Sequence, residues 1–368
     1  MSFIKTISNK FPPPAYLQMI SVGVDISDTS LKYILFDSKK RQPGFLNISH
    51  WGDIEISENA LQRGVVQEPE SLVSALREVK QSTGVELVRV SLPEERAYLF
   101  ETEIDRGMTV EDIKNALEFS LEENVPLSPR ESLFDYHIVE YIKSRNKLRV
   151  IVTVYARDIV MSYYDACMEA GVLPLSFEIE AQAIARSTIP FSDQGTHMIL
   201  DFGRTRTGVG IVHQNLLMYT STIDIGGKDV SSCLRSVLGQ DVEESKLTTI
   251  KNEQGLVSSK ENPKLTKVMS ETVDKILDEL SVRIKYWNNK VGNSHHMYIH
   301  SIILCGGSSN MRGLQRYVTE QLNIPTRRGN VWRNVMSLED NVPPIEQRYS
   351  FGYSTAIGLA LASLVDTS

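Results

Sequence analysis

The chain has 368 residues, 41% of them hydrophobic and 23% charged, and a formal net charge of −7. That length can hold more than one hydrophobic core, the composition is that of a globular protein, and the acidic balance argues against general nucleic-acid binding. Cys167, Cys233 and Cys305 are too few and too scattered for a disulfide framework or a metal knuckle, and no apolar run approaches the ~20 residues of a membrane-spanning helix.

Residues 1–20 read as an N-terminal arm. Phe3, Ile4, Ile7 and Phe11 fall at helical spacing with Lys5 and Lys10 between them, and Pro12 to Pro14 stop any helix. A frayed arm is the simpler reading and a short amphipathic membrane-surface helix the sharper one; a signal peptide is not expected, since no sustained apolar segment follows the first lysine. From Val22 to Leu35 an apolar strand, Asp25, a polar turn and a second apolar strand form a hairpin pattern. A helix is predicted from Pro69, and 88–92 alternates as a strand. An α+β module is then expected over 95–172, with strands at 97–100, 134–139 and 148–154 and helices over 110–123 and 158–170.

The spacing over 177–189 predicts a helix that returns the chain to the first unit. Met198 to Val212 then repeats the opening pattern, so that Asp201 matches Asp25, Gly203 matches Ser27 and Thr205 matches Thr29. Residues 251–264 are polar and turn-rich, which predicts a mobile loop, and 271–288 has long helical periodicity. Ser301 to Leu304 reads as a buried strand leading into Cys305-Gly306-Gly307, and 354–365 as a buried closing helix. The expected division is a first lobe of 21–94, 173–195 and 351–368, and a second-lobe core of 196–245 and 300–350 with an outer helical part over 246–299.

Either hairpin alone is an ordinary polar turn; the repetition carries the inference. Two such turns facing one another offer backbone N–H groups to phosphate oxygens. Asp25 and Asp201 would repel a bare triphosphate, so their place beside it requires Mg2+ and its waters between. Lys32 supplies compensating charge, and Thr29 and Thr205 supply hydroxyl hydrogen bonds. Gly306 and Gly307 leave flat space for a nucleobase or ribose. Glu243 and Lys246, three apart on a helix, could hold ribose hydroxyls or form a solvated ion pair. Gly226-Gly227 is a further phosphate-side bend or a strand end, and Arg204 and Arg206 reach phosphate or, more simply, are exposed turn residues.

In this order, the two hairpins, connecting helix, glycine-pair strand and small-residue closing helix resemble the actin-like ATPase superfamily. The fold implied is α/β: an actin-like, ribonuclease H-like, duplicated two-lobe fold with an inserted α+β subdomain. Asp25 to Lys32 keeps that superfamily's spacing, with Ser27 where glycine is usual, and Glu243 and Lys246 match its Ala-Glu-x-x-Lys pattern, with Val242 in place of alanine. The inserted module resembles that of FtsA and above all of PilM, through Asp112 to Glu118, Asn124 to Leu127 and Phe134-Asp135-Tyr136. Phe177 to Ala183 is similar to PilM's Val-Asp-Val-Glu-Ala segment, with Glu178 where aspartate is usual. The resemblance spans about 21–365.

It implies ATP and Mg2+ as ligands, with Asp25, Ser27, Asp28, Thr29, Ser30, Lys32, Asp201, Gly203, Arg204, Thr205, Glu243, Lys246, Gly306, Gly307 and Ser308 as nucleotide-binding residues and Asp25 and Asp201 at the metal. Glu180 is the first candidate to position an attacking water and Glu178 the second; both are equally explained as acids favoured at a helix start. PilM-like proteins are cytoplasmic rings or scaffolds of pilus assembly more than turnover enzymes. They bind the cytoplasmic N-terminal tail of a PilN-type inner-membrane protein, which is how this chain would reach the membrane. The alternatives are an active ATPase or small-molecule kinase of the same superfamily, and an FtsA-like filament protein, against which the absence of a basic linker or amphipathic tail after the closing helix counts.

Overall fold

The computed structural model describes residues 19–37, 45–257 and 263–365. The arm expected over 1–20 lies almost wholly outside the described residues. The first lobe opens with β1 (Val22–Ile26), β2 (Ser30–Phe36) and β3 (Ile48–Glu55). A two-stranded hairpin, β4 (Leu61–Gln62) and β5 (Val65–Val66), α1 (Pro69–Thr83) and β6 (Leu87–Leu92) follow. The inserted module is β7 (Tyr98–Asp105), α2 (Val110–Asn124), β8 (Ser132–Ile142) and β9 (Lys147–Ala156). The chain returns through α3 (Arg157–Ala170), β10 (Leu173–Ile179) and α4 (Glu180–Thr188).

The second lobe contains β11 (Thr196–Phe202), β12 (Thr207–His213), β13 (Leu216–Ile223), α5 (Gly227–Leu238), α6 (Glu244–Glu253) and α7 (Pro263–Val291). After these come β14 (Ser301–Cys305), α8 (Leu314–Leu322), β15 (Thr326–Arg328), the short α9 (Gln347–Ser350) and α10 (Ser354–Val365).

The two main sheets are copies of one plan. One has the order β3-β2-β1-β6-β10 and the other β13-β12-β11-β14-β15. In each, a hairpin strand pairs antiparallel with its successor and parallel with the strand that follows the crossover. Their central strands are buried on both faces, which is why β1, β11 and β14 read as continuous apolar runs rather than alternating ones. Both hairpin turns consequently project from corresponding ends of their sheets and confront each other.

Helices α4 and α10 cross between the sheets at a glycine. A Cβ on Gly358 would overlap the carbonyl of Ala183, and one on Gly23 would overlap the backbone of α10 at Ala356 and Ala360. Only hydrogen at these positions lets backbone approach backbone, so the lobes share a tightly packed spine.

Packing corrects several expectations. Phe177 to Ile179 are not helical: they finish β10, which pairs parallel with β6, and the helix begins at Glu180. Cross-strand pairing over 173–179 outweighs local helical spacing there. Helix α3, read as the end of the inserted module, buries Ile159, Tyr163, Ala166 and Cys167 in the first-lobe core with α1. Val331, Trp332, Val335, Met336 and Ile345, read as second-lobe residues, pack on Ile34 and Phe36 of β2 and on α10. The expected loop over 251–264 is partly helical, since α6 runs to Glu253 and α7 starts at Pro263; 258–262 lie outside the described residues. The buried face of α7 joins the second-lobe core through Met269, Val273, Ile276, Leu280 and Trp287 rather than forming a core of its own.

The inserted module is a three-stranded sheet in the order β7-β9-β8. One face, with Phe100, Ile104, Val150, Val152 and Val154, packs on Leu117 and Leu121 of α2. The opposite face sends Ile151 into the second-lobe core, with Leu99 and Val139 against it, and Glu101 pairs with Lys290 of α7 at 2.7 Å. The module therefore touches both lobes.

The helix crossing sets a clear expectation. Gly358→Val should cost about 3 kcal/mol or prevent folding, because the backbone of α4 has nowhere to move. Gly84→Ala, at φ 68 with open space around it, should cost only ~1 kcal/mol. Thermal melts of the two variants decide; equal shifts would mean that the crossing is not tightly constrained.

Candidate functional site

A cleft of about 500 Å3, including its open mouth, lies between the two hairpin turns. Its lining includes Ser27, Asp28 and Thr29 from the first turn, Gly203, Arg204, Thr205 and Arg206 from the second, and Asp201, Glu94, Glu95 and Glu180 around them. The first turn is built by its own residues. Ser27, at the position where a glycine is usual, donates from its hydroxyl to the Ser30 carbonyl at 2.8 Å, and its N–H bonds the same oxygen at 3.0 Å. The second turn is held from outside: Ser308 Oγ and the Gly227 N–H both donate to the Gly203 carbonyl at 3.0 Å, and the Lys228 N–H donates to that of Arg204 at 2.8 Å. Gly226 packs directly on that turn's backbone, and Gly306, at φ 81, presses against Phe202 and the Asp201 carboxylate. A side chain at either glycine would push the turn out of place, which gives both glycine pairs a physical role.

The acids are crowded. Asp25 closes β1 and accepts from Ser91 Oγ at 3.2 Å. Glu94 stands in the 3-10 turn after β6; its Oε1 accepts from the Ala181 N–H at 3.1 Å, while its Oε2 is buried and makes no hydrogen bond. Gly208 leaves room for that oxygen. Burial, opposed by Lys32, holds the Asp25 carboxyl up at about 6. Burial, with the charge of Asp25, raises Asp201 to about 7, and burial, with the charge of Asp201, raises Glu94 to about 8. Glu180, first residue of α4, is pushed well above its ordinary range by burial and then by Asp25, Glu94, Asp201 and Asp28.

Of the two guanidiniums that line the cleft, the one engaged by its acids is that of Arg206. Its Nη2 donates to Asp28 Oδ1 at 2.8 Å, its Nη1 pairs with Glu95, and Thr205 Oγ1 donates to Asp28 Oδ2 at 3.2 Å. These bonds join the first lobe to the second. Arg206, read from sequence as an exposed turn residue, thus has a side chain only 18% exposed and is fully engaged, whereas Arg204 is exposed.

Lys32 does not line the cleft. It lies across the ladder from Asp25, donates to Ser30 Oγ at 2.6 Å and pairs with Asp53 at 3.4 Å. Glu178 is also outside the lining, bonded to Arg186 at 2.7 Å. Gly307 follows Gly306 at the start of the 3-10 turn that carries Ser308. Glu243 and Lys246 are exposed on α6 and are not brought to the hairpins. The inward face of α6 is Glu244, Leu247 and Lys251 instead; Lys251 is buried and donates to Ser231 Oγ at 2.8 Å and to the Gly227 carbonyl at 3.3 Å. Glu243 is the residue ahead of the first turn, with extended backbone, and Lys246 lies about 100° round the helix from the buried Leu247.

Glu94, Glu95, Gly208 and Thr222 escaped the sequence reading. The available signal was a pair of acids at the carboxyl end of a central parallel strand, where ligands of open α/β sheets sit.

The residues fit a phosphate group bridged by a cation rather than a bare anion. Five lining carboxylates, with Asp25 close to Glu180 and Asp201, repel phosphate alone, and the described residues contain no cluster of three or more side chains ready to hold a metal by itself. Asp25 and Asp201, on equivalent strands of the two sheets, would flank such a cation, with Ser27, Thr29 and Thr205 in the turns on the phosphate side.

A family model described as type IV pilus assembly protein PilM matches residues 23–364. A solved PilM-PilN type IV pilus biogenesis complex is similar at 17% identity and a TM-score of 0.75, over 94% of this chain and 99% of that one. MreB5 of Spiroplasma citri bound to ADP is similar at 11% identity and a TM-score of 0.55, over 95% and 98% of the two chains. The ethanolamine utilization protein EutJ from Carboxydothermus hydrogenoformans gives 13% and 0.54, over 93% and 89%. The duplicated two-lobe architecture with its inserted module is thus an actin-like fold.

The acid cluster predicts an unusual pH dependence. Carboxyls raised in the folded state hold protons that the unfolded chain has released. Their contribution to stability is complete below the unfolded value near 4.5 and is lost as pH rises towards about 8, the value for Glu94. Glu94→Gln should remove much of the fall between pH 6 and 8 in melts of the unliganded protein. A wild-type melting temperature that is flat or rising over that range would contradict the assignment.

Proposed function

Because this chain belongs to the PilM family of type IV pilus assembly proteins, we propose that it is an ATP-binding, actin-like scaffold of a pilus assembly complex. It acts in the cytoplasm, peripheral to the inner membrane, by binding the cytoplasmic N-terminal tail of a PilN-type membrane protein. The observation that carries this reading is the match to a PilM-PilN complex along nearly the whole chain, inserted module included. Among the described residues no helix is long and apolar enough to cross a membrane, so attachment through a partner is consistent with the chain.

In this reading Asp25 and Asp201 orient the waters of Mg2+, Ser27 holds the shape of the first turn, Thr29 donates a hydroxyl hydrogen bond to phosphate, and Thr205 does so once it leaves Asp28. Bound Mg2+ supplies the charge that lets phosphate enter among carboxylates. Gly306 and Gly307 keep the second-lobe wall flat. Burial and the neighbouring acids hold the Glu180 carboxyl well above its ordinary range, which disfavours its ionised form, so slow turnover or none is expected. Nucleotide acts on the partner site by favouring one arrangement of the lobes, to which the inserted module is tied on both sides.

Calorimetry with Mg-ATP tests the cleft: wild type should bind and retain intact nucleotide for hours, and Asp201→Ala should weaken binding by about a hundredfold. Equal binding by the variant would remove Asp201 from the site, and steady phosphate release would make the protein an ATPase. A labelled peptide of the PilN-type tail, titrated with and without Mg-ATP, tests the partner; no change in anisotropy in either condition would overturn the scaffold reading.

A further inference from the structure

The resemblance gives the phosphate-binding charge to Lys32; that ammonium is held by Ser30 and Asp53, and its charge also reaches Asp25 and Asp201. Two guanidiniums line the phosphate side, that of Arg204, which is exposed, and that of Arg206, which is held across the cleft. The backbone of Arg206 is fixed, since its carbonyl accepts from the Gly203 N–H at 3.0 Å and the turn is clamped by Gly226, Gly227 and Ser308. Its side chain is long and crosses to the opposite lobe, where both arms of the guanidinium are taken by carboxylates, Asp28 on the first hairpin and Glu95 beyond β6.

Those two acids neighbour Ser27, Thr29 and Thr205 and occupy the ground that phosphate oxygens would take. A guanidinium binds carboxylate and phosphate with the same bidentate geometry, so a phosphate can take the place of a carboxylate on it. A ligand that brings a terminal phosphate to this point can exchange with Asp28 and Glu95. A ligand one phosphate shorter leaves Arg206 where it is, bound across the lobes. We propose that Arg206 is the residue by which the cleft distinguishes a nucleoside triphosphate from a diphosphate, releasing Asp28 and Glu95 to take the terminal phosphate.

The inference rests on the nucleotide reading of the cleft. No covalent step is involved: one set of charge-assisted hydrogen bonds replaces another, and the two acids are returned to solvent or to the cation that accompanies the phosphates. Because Asp28 and Glu95 compete with the ligand, neutralising them should strengthen triphosphate binding rather than weaken it. That sign separates a competing latch from acids that merely help to hold the nucleotide.

The test is competition of unlabelled Mg-ATP and Mg-ADP against a fluorescent ADP analogue on the full chain. Wild type should favour ATP by about tenfold or more, and Arg206→Ala should bring the ratio close to one, chiefly through lost ATP affinity. Arg206→Lys should keep an intermediate ratio. The D28N/E95Q double variant should raise the ATP-over-ADP ratio above that of wild type through tighter ATP binding, and it decides the matter if Arg206→Ala fails to fold. An unchanged ratio in Arg206→Ala, an equal loss for both nucleotides, or weaker ATP binding by D28N/E95Q would overturn the role of Arg206. Wild type that binds neither the analogue nor either nucleotide would instead overturn the nucleotide reading itself.

Discussion

A cluster of six carboxylates, five lining a narrow cleft and Asp25 beside them, is the constraint around which this molecule is arranged. Asp25, Asp28, Glu94, Glu95, Glu180 and Asp201 come from four separate segments, and the fold brings them together because the two lobes are copies that present corresponding sheet ends to each other. Such a cluster is tolerable only if its charge is removed by protons, matched by a cation, or shared with a ligand that carries one. The structure shows the first two: raised carboxyls on Asp25, Asp201, Glu94 and Glu180, and the guanidinium of Arg206 between Asp28 and Glu95.

Because the acids belong to both lobes, anything that neutralises them also acts on lobe position. The glycine-mediated crossing of α4 and α10 supplies a close-packed spine, while the polar contacts at the hairpins can exchange partners. Arg63 and Asp224 add a further inter-lobe pair at 3.0 Å, but both are largely exposed, so its weight is small. The inserted module lies against the other side of the same division, with Ile151 in the second-lobe core and Glu101 on Lys290. A change in lobe closure therefore has a packed route to the module.

How much was legible before the structure depended on whether a signal was local. The paired hairpins, the glycine-pair strand and the closing helix are short-range patterns of apolar runs, acids and small residues, and they stand in the molecule where the spacing put them. The boundaries that failed are those decided by neighbours far along the chain. Phe177 to Ile179 has helical spacing but is drawn into the sheet by β6. Helix α3 carries no mark saying which of two cores it joins, and Val331 to Ile345 leaves the second lobe to cover β2. Arg206 looked like an exposed turn residue because its two acidic partners sit on the other lobe.

The sequence by itself determined the duplicated plan and the family, since repetition of Asp25 and Asp201 within matching hairpins needs no contact map to be seen. It determined too that the chain has an α+β insertion, through the alternation of β8 and β9 and the capped, amphipathic α2. Tertiary structure alone decided which charges meet. Lys32 paired with Asp53 and Ser30, Lys251 turned inward while Glu243 and Lys246 are exposed, and Glu94 and Glu95 entered the site. The physical reason is that hydrophobic periodicity is written along a strand or helix, whereas the partner of a charge is chosen by whatever the folded chain brings within a few ångströms of it.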